Sequence, residues 1–415
     1  MTGVSRASRR RVAHGQHWWF GLVALMLGLV LSLAPAPAER PPEGRSVQQA
    51  VAAQQAPELS ARIKSLGRAF DGRVGIAICD VDEGWTVAFD GDNRYPQQSV
   101  SKLWVALAAL DAVDKRQMAL GDTLVVRKDD LSIFHQPLRK HVGDNGYPVT
   151  VVELIRGAIA QSDNAANDVL VGHVGGQAAV QAILDRHKLR GVWASPPEKV
   201  MQTQIAGLDW KPEYSFAHTF WEERDTLSPE ARAVNLDAYL QDPYDAATPV
   251  GIATALARLK RGELLSPAST DLLLKIMGET ETGPSRLPAG LRPGWTLAHK
   301  TGTGQVWGAV ATGFNDVGIM TAPDGHNYAV AVMIAQTRRP VPERQDLMAA
   351  IARAVVAHHD RRTGAQTGAE GRAPGAATHS PGLKSSRARL LPLGYAAVSY
   401  RPSMPPARRL YGTHL

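Results

Sequence analysis

The sequence predicts an α/β (α+β) protein: an antiparallel sheet flanked by helices, with an all-helical lobe inserted between its strands. Three observations carry this expectation. Strand-like runs gather near both ends of the body of the chain, helical periodicity fills its middle, and two short polar stretches between strands read as hairpin turns.

Near the N-terminal end, Arg73–Cys79 and Trp85–Phe89 flank Asp80-Val81-Asp82-Glu83-Gly84, a turn-forming stretch. Near the other end come Trp295–Lys300, Trp307–Ala322 and Asn327–Gln336, the last two separated by Pro323-Asp324-Gly325. Between these groups, Ser99–Val113 carries apolar residues at 103, 104, 106, 107 and 110, one face of a helix. Val151–Ala160, Gln177–His187, Thr248–Leu259 and Ser269–Met277 read the same way, and a last helix is expected from Arg344 to about His358. Strands drawn from both ends of the body leave the helices between them to form the lobe.

The 415 residues are 44% hydrophobic and 20% charged, enough for a large core without disulfides. The lone cysteine, Cys79, lies in the apolar run Val74–Cys79 and reads as a small buried hydrophobe. Residues 1–38 read as a signal peptide. Arg6, Arg9, Arg10 and Arg11 precede the uncharged stretch Trp18–Ala34, and Ala36-Pro37-Ala38 offers small residues for cleavage. An uncleaved membrane tether is the alternative. Either way the expectation is export, to the periplasm or the cell exterior. Residues 39–58 form a Pro-, Gln- and Ala-rich linker, 59–360 the folded domain, and 361–415 a basic tail expected to be disordered. The two ends carry +4 and +8 of a total of +7, which leaves −5 on the body. Nothing in this mildly acidic body looks like a nucleic-acid footprint.

Three elements carry chemistry. The first is Ser99-Val100-Ser101-Lys102. On a helix, residues three apart share a face, so the Lys102 amine can reach the Ser99 hydroxyl. A serine needs such a base to become a nucleophile, and a helix N-terminus favours the oxyanion formed beside it. The second is Ser162-Asp163-Asn164, directly after a predicted helix: a hydroxyl able to pass a proton and an amide able to hold a carbonyl. It can equally be a plain capping loop. The third is Lys300-Thr301-Gly302-Thr303-Gly304, closing an apolar strand. Its glycines admit a ligand backbone, and its lysine and threonines can hold a carboxylate.

These elements in this order resemble the set shared by class A β-lactamases and penicillin-binding proteins. The resemblance to class A β-lactamases spans roughly Ala61 to His358. It is also carried by Arg94-Tyr95-Pro96, by Ala165-Ala166-Asn167 after the triplet, and by Asp242–Pro249, which is similar to the end of the family's omega loop. Gly262–Leu265, Thr282-Gly283, Leu287–Gly290 and Asn315–Gly318 match as well. It implies a serine β-lactamase/transpeptidase-like fold, no cofactor, a monomeric enzyme, and a β-lactam or peptidoglycan stem peptide as substrate. It further implies that Ser99 is acylated, Lys102 takes its proton and Ser162 serves the leaving nitrogen. Asn164 would hold the acylamide, and Lys300, Thr301, Gly302 and Thr303 would line the carboxylate and oxyanion positions. Arg338 and Arg286 are candidate carboxylate partners.

The omega loop is the difficult region. The family hydrolyses its acyl-enzyme with a water held by a glutamate and an asparagine. Leu208-Asp209-Trp210-Lys211-Pro212-Glu213-Tyr214 is the best local match, and it puts Lys211 at the glutamate position and Ser215 at the asparagine position. Glu222, after Trp221, and Glu213 are the remaining candidates for the base. The stretch from about Arg190 to Asp242 exceeds the family's usual length, so an insertion lies in or beside the loop. Position 98 is Gln, so the cysteine that forms a disulfide in some relatives is absent.

Three functions remain open at this stage: a β-lactamase; a D-Ala-D-Ala carboxypeptidase or penicillin-binding protein that deacylates poorly; and a wall-binding module without catalysis. No H-x-H-x-D cluster supports a metal-dependent lactamase, His358-His359-Asp360 is expected in solvent, and no metal site is predicted. No G-x-S-x-G elbow surrounds Ser99.

Overall fold

β10 (Asn327–Thr337) lies at the centre of the molecule and its residues sort by parity. Val330, Val332 and Ile334 face one apolar cluster, whereas Ala329, Ala331 and Met333 face another. A strand buried on both faces must have layers on both sides. The computed structural model describes residues 56–216 and 218–370. The predicted signal peptide, nearly all of the predicted linker, and the tail beyond 370 lie outside the described residues.

The sheet is antiparallel throughout, in the order β2 (Thr86–Phe89), β1 (Gly72–Asp80), β10, β9 (Val310–Thr321), β7 (Thr296–Thr303), with the short β8 (Val306–Trp307) paired to β9. One face is covered by α1 (Pro57–Ala69) and α11 (Val341–Glu370), which bring Leu59, Ile63, Met348, Ile351 and Val355 onto the β10 valines. The other face meets the helical lobe. At the centre of the lobe is α2 (Lys102–Asp114), whose sequence is apolar all round and which is accordingly buried from Lys102 to Asp111. Around it stand α3 (Val151–Ile159), α4 (Asn164–His173), α5 (Gly176–Arg186), α9 (Pro249–Lys260) and α10 (Pro267–Gly278). Two-residue strands β3 (Tyr95–Pro96) and β6 (Ala246–Ala247) pair with each other, as do β4 (Thr123–Val126) and β5 (Tyr147–Thr150). Cys79 is buried beside Ala77 on the lobe face of β1, and burial pushes its thiol pKa up.

The fold class and the antiparallel sheet match the sequence reading, with three local corrections. Trp307–Ala322 is not one strand: the chain turns after Trp307 and restarts at Val310. The last helix continues to Glu370 rather than ending near His358. Arg361 pairs with Glu58 at 2.8 Å and Arg362 with Glu83 at 2.6 Å, so the first residues assigned to the tail are docked on the domain. His358 and His359 are not in solvent. His359 is buried, and His358 meets the Trp85 ring edge-on at 5.3 Å. Among the described residues no helix is long and apolar enough to cross a membrane.

Candidate active site

The Ser99 segment is fastened from three sides. Gln97 Nε2 donates to Trp193 O (2.9 Å) and Ala246 O (3.0 Å), and Trp104 Nε1 donates to Gln97 Oε1 (2.6 Å). Asn315 Nδ2, on β9, donates to Pro96 O and Gln97 O at 2.8 and 2.9 Å. Gln98 takes a left-handed φ of 52° and donates its N–H to Asp245 Oδ2. Such a backbone is costly for a non-glycine residue and persists here because its surroundings over-determine it. Ser99 then lies in a 3-10 turn, Gln98–Ser101, and the α-helix proper begins at Lys102. Ser99 is half-buried. β7 abuts this turn through Gly302, where a Cβ would sit 2.4 Å from Gln97 O.

Two fully buried lysines face each other across Ser162. Lys102 Nζ donates to Ser162 O (2.8 Å) and Asn164 Oδ1 (2.5 Å). Lys300 Nζ donates to Ser162 Oγ (2.8 Å) and Thr301 O (2.9 Å). Burial, and then the neighbouring Lys102 charge, hold the Lys300 pKa well below the usual lysine range, with Glu198 opposing. Ser162 itself has φ 61°, and Asp163 caps α4 by accepting from Ala166 N at 2.9 Å. Asn164 Nδ2 donates to Ile133 O, so one hydrogen of its amide is already spent.

The carboxylate at this centre is Glu198, which the sequence reading did not single out. It opens α6 (Glu198–Ala206), is 2% exposed, and places Oε1 3.4 Å from Lys102 Nζ. One turn on, Gln202 Nε2 lies 3.2 Å from Glu198 Oε2. Asp168 holds the helix start by accepting from Glu198 N (2.6 Å) and Lys199 N (3.0 Å). Asp168 and Asn164 are four apart on α4, so one helix face grips both Lys102 and α6. Burial, then the Glu198 charge, raise the Asp168 pKa to about 6.

The other omega-loop candidates are placed elsewhere. Lys211 is exposed and paired with Glu223 at 2.6 Å, and Ser215 Oγ donates to its own loop at Pro212 O. Glu213, in a 3-10 turn, and Glu222, on α7 (His218–Thr226), are both exposed, and neither meets Lys102. The inserted stretch packs as a separate aromatic cluster in which Phe134 stacks on Trp221 at 5.2 Å. Leu208–Tyr214 thus brings neither Lys211 nor Glu213 to Lys102. The informative signal was Glu198 and Gln202, four apart at a helix start after Pro196-Pro197.

On the strand side, Thr301 Oγ1 bonds Thr282 Oγ1 (2.6 Å), and Thr303 is exposed. Of the two arginines proposed beside the threonines, Arg286 is the one in place. It donates to Thr303 Oγ1 (2.7 Å), Gly302 O (3.1 Å) and Asn315 O (2.7 Å), and burial lowers its pKa to about 10. Arg338 is exposed beyond the end of β10, which β9 separates from β7. Asp316 Oδ1 accepts from His299 Nδ1 at 2.7 Å beneath the strand. Asp80, Asp82 and His326 bring potential metal-ligand atoms within 4.8 Å of one another near a hairpin end of the sheet. Their atoms are already committed: Asp80 accepts from His326, Asp82 N and Glu83 N, and the Arg362 guanidinium sits on His326 Nδ1.

The sequence profile of the Beta-lactamase enzyme family matches residues 58–359. The chain is 27% identical over 299 residues to beta-lactamase VEB-1 of Pseudomonas aeruginosa, covering 72% of this chain and 89% of that protein. Against the crystal structure of a beta-lactamase from Chitinophaga pinensis DSM 2588 the TM-score is 0.57 at 28% identity, with 74% of this chain and 98% of that one covered. Against TLA-1 extended spectrum beta-lactamase it is 0.62 at 25% identity, covering 73% and 99%. With the family profile spanning residues 58–359 and the fold shared with these structures, the chain belongs to the beta-lactamase enzyme family, within the class A serine β-lactamase superfamily.

Proposed function

We propose that this protein is acylated on Ser99 by β-lactams and hydrolyses the resulting ester, acting as a β-lactamase. The observation that carries the reading is Glu198, a buried carboxylate beside Lys102 with the Gln202 amide one turn away. That is the equipment an acyl-enzyme needs to be hydrolysed. Ser99 Oγ attacks the lactam carbonyl carbon, and Lys102 takes its proton directly or through water. The N–H groups of Ser99 and Thr303 receive the oxyanion. Lys300 Nζ occupies a lone pair of Ser162 Oγ, which leaves the Ser162 hydroxyl hydrogen to go to the departing nitrogen as the C–N bond breaks, and the proton that Lys102 took from Ser99 then replaces it. Glu198 then takes a proton from a water whose oxygen attacks the ester carbon, and that proton passes on to Ser99 Oγ as the ester C–O bond breaks, which regenerates both groups. Asn164 retains one amide hydrogen for the acylamide carbonyl. Thr301, Thr303 and Arg286 receive the substrate carboxylate. The basic and apolar N-terminal segment supports action outside the cytoplasm.

The test is intact-protein mass followed over time with excess benzylpenicillin. A transient adduct with continuing drug hydrolysis is expected, both abolished by Ser99→Ala. A permanent adduct would instead make this a penicillin-binding protein. Turnover that survives Ser99→Ala would remove the nucleophile from the scheme.

A further inference from the structure

The last helix of the long 190–242 stretch reaches the catalytic centre through one hydroxyl. Tyr239 lies on α8 (Pro229–Gln241), fully buried against Met201, Ile205, Leu236 and Leu240. Its OH accepts from Gln98 Nε2 (2.5 Å) and donates to Asp245 Oδ1 (3.0 Å). Gln98 Oε1 in turn accepts from Gln202 Nε2 (2.8 Å), and the same Gln202 nitrogen faces Glu198 Oε2. Asp245, Tyr239, Gln98, Gln202, Glu198 and Lys102 therefore form one unbroken buried polar chain.

The direction of every amide in that chain follows from its end. A phenol has a single hydrogen, and the Asp245 carboxylate takes it. Both Asp245 oxygens accept, Oδ1 from Tyr239 OH and Oδ2 from the Gln98 N–H. The Tyr239 oxygen must then accept, so Gln98 turns its NH2 to Tyr239 and its oxygen to Gln202. Gln202 must answer with its own NH2, and its oxygen is received by Gln305 Nε2 at 3.1 Å. The group presented to Glu198 is thereby a donor. A reversed Gln202 would set a carbonyl oxygen against a carboxylate.

We propose that Tyr239 is a positioning residue for Glu198: through Gln98 and Gln202 it holds a donor on the Glu198 carboxylate, and so places acyl-enzyme hydrolysis under the control of this helix. This rests on the reading of Glu198 as the hydrolytic base. Tyr239→Phe keeps the ring in its apolar cluster and removes only the hydroxyl. Acylation and deacylation rate constants are measured separately on the full chain with benzylpenicillin, by stopped flow and intact mass, across the pH range.

Deacylation should fall about tenfold, as for loss of one hydrogen bond to a charged group, while acylation stays within about threefold of wild type. Gln202→Leu should slow deacylation likewise, and adding Tyr239→Phe to it should cost nothing more. Unchanged deacylation, equal losses in both steps, or additive effects would each overturn the positioning role while leaving the wild-type activity standing. A wild type that never turns over penicillin would overturn the Glu198 reading, and this proposal with it.

Discussion

Replacing Glu198 by Gln tests the site at the point where the insertion made it hardest to read. The amide nearly preserves shape and can still accept a hydrogen bond, but it cannot take a proton from water. General-base catalysis of this kind contributes roughly 10²–10⁴-fold. Deacylation should slow by that factor. Acylation should change much less, since Lys102 keeps Ser162 O and Asn164 Oδ1. The adduct on Ser99 should then persist and be countable by intact mass within a single turnover. The substitution also strips Lys102 of a counter-charge 3.4 Å away in a site where both side chains are almost wholly buried. Breaking such a pair costs up to about 3–5 kcal/mol, less here because an amide oxygen remains, so Tm should fall by a few degrees. Glu213→Gln and Glu222→Gln, both in solvent, should leave turnover within about twofold of wild type. Wild-type deacylation in Glu198→Gln, or a trapped adduct in either of the other variants, would refute the reasoning.

Asp168→Asn should change the pH dependence of stability. The folded pKa of about 6 lies above the ordinary 3.8, so Asp168 favours folding below about pH 4 and loses that contribution as pH rises through 6. Urea melts should show the variant gaining up to about 3 kcal/mol relative to wild type between pH 4 and 7; a flat difference would contradict the raised pKa. Gly302→Ala puts a Cβ 2.4 Å from Gln97 O, and should cost about 1–3 kcal/mol in a thermal melt and still more in turnover. Equal activity would mean that β7 does not need to press on the Ser99 turn. Arg286→Ala should raise KM for carboxylate-bearing substrates at least about tenfold through loss of the charged bonds to Thr303 and Gly302, whereas Arg338→Ala should leave KM unchanged in steady-state assays.

The parts of the site visible in the sequence were those written in short contiguous runs. Ser99 with Lys102, Ser162 with Asn164, and Lys300 with Thr301 each occupy one turn or one strand end, and the structure brings Lys102, Asn164 and Lys300 together at Ser162. What stayed hidden depended on contacts between distant segments. Glu198 acquires its surroundings from Lys102 and from Asp168 on α4. None of these is near it in sequence, and the more conspicuous tryptophan–glutamate pair in the insertion drew the reading to exposed residues. Arg286 was legible only as one of two arginines; the choice depends on β9 separating β7 from β10. The extended last helix was missed because Arg361 and Arg362 look like the start of a polar tail. Their helical continuation is held by Glu58 and Glu83, which lie far earlier in the chain.

The pairing of β1 with β10 also bears on how this protein is made. The two strands are about 260 residues apart, so β1 leaves the ribosome with one edge open and stays so until nearly the whole domain has been synthesised. Its buried run Val74–Cys79 is in that interval a bare, apolar template for the wrong neighbour. β2 can cover one edge early through the Asp80–Gly84 turn, but the other has no local partner. A nascent chain arrested before Thr337 should therefore be recognised by proteases and holding chaperones as unfolded, however well formed its helices are, and the final few dozen residues decide whether the preceding ones count as a protein.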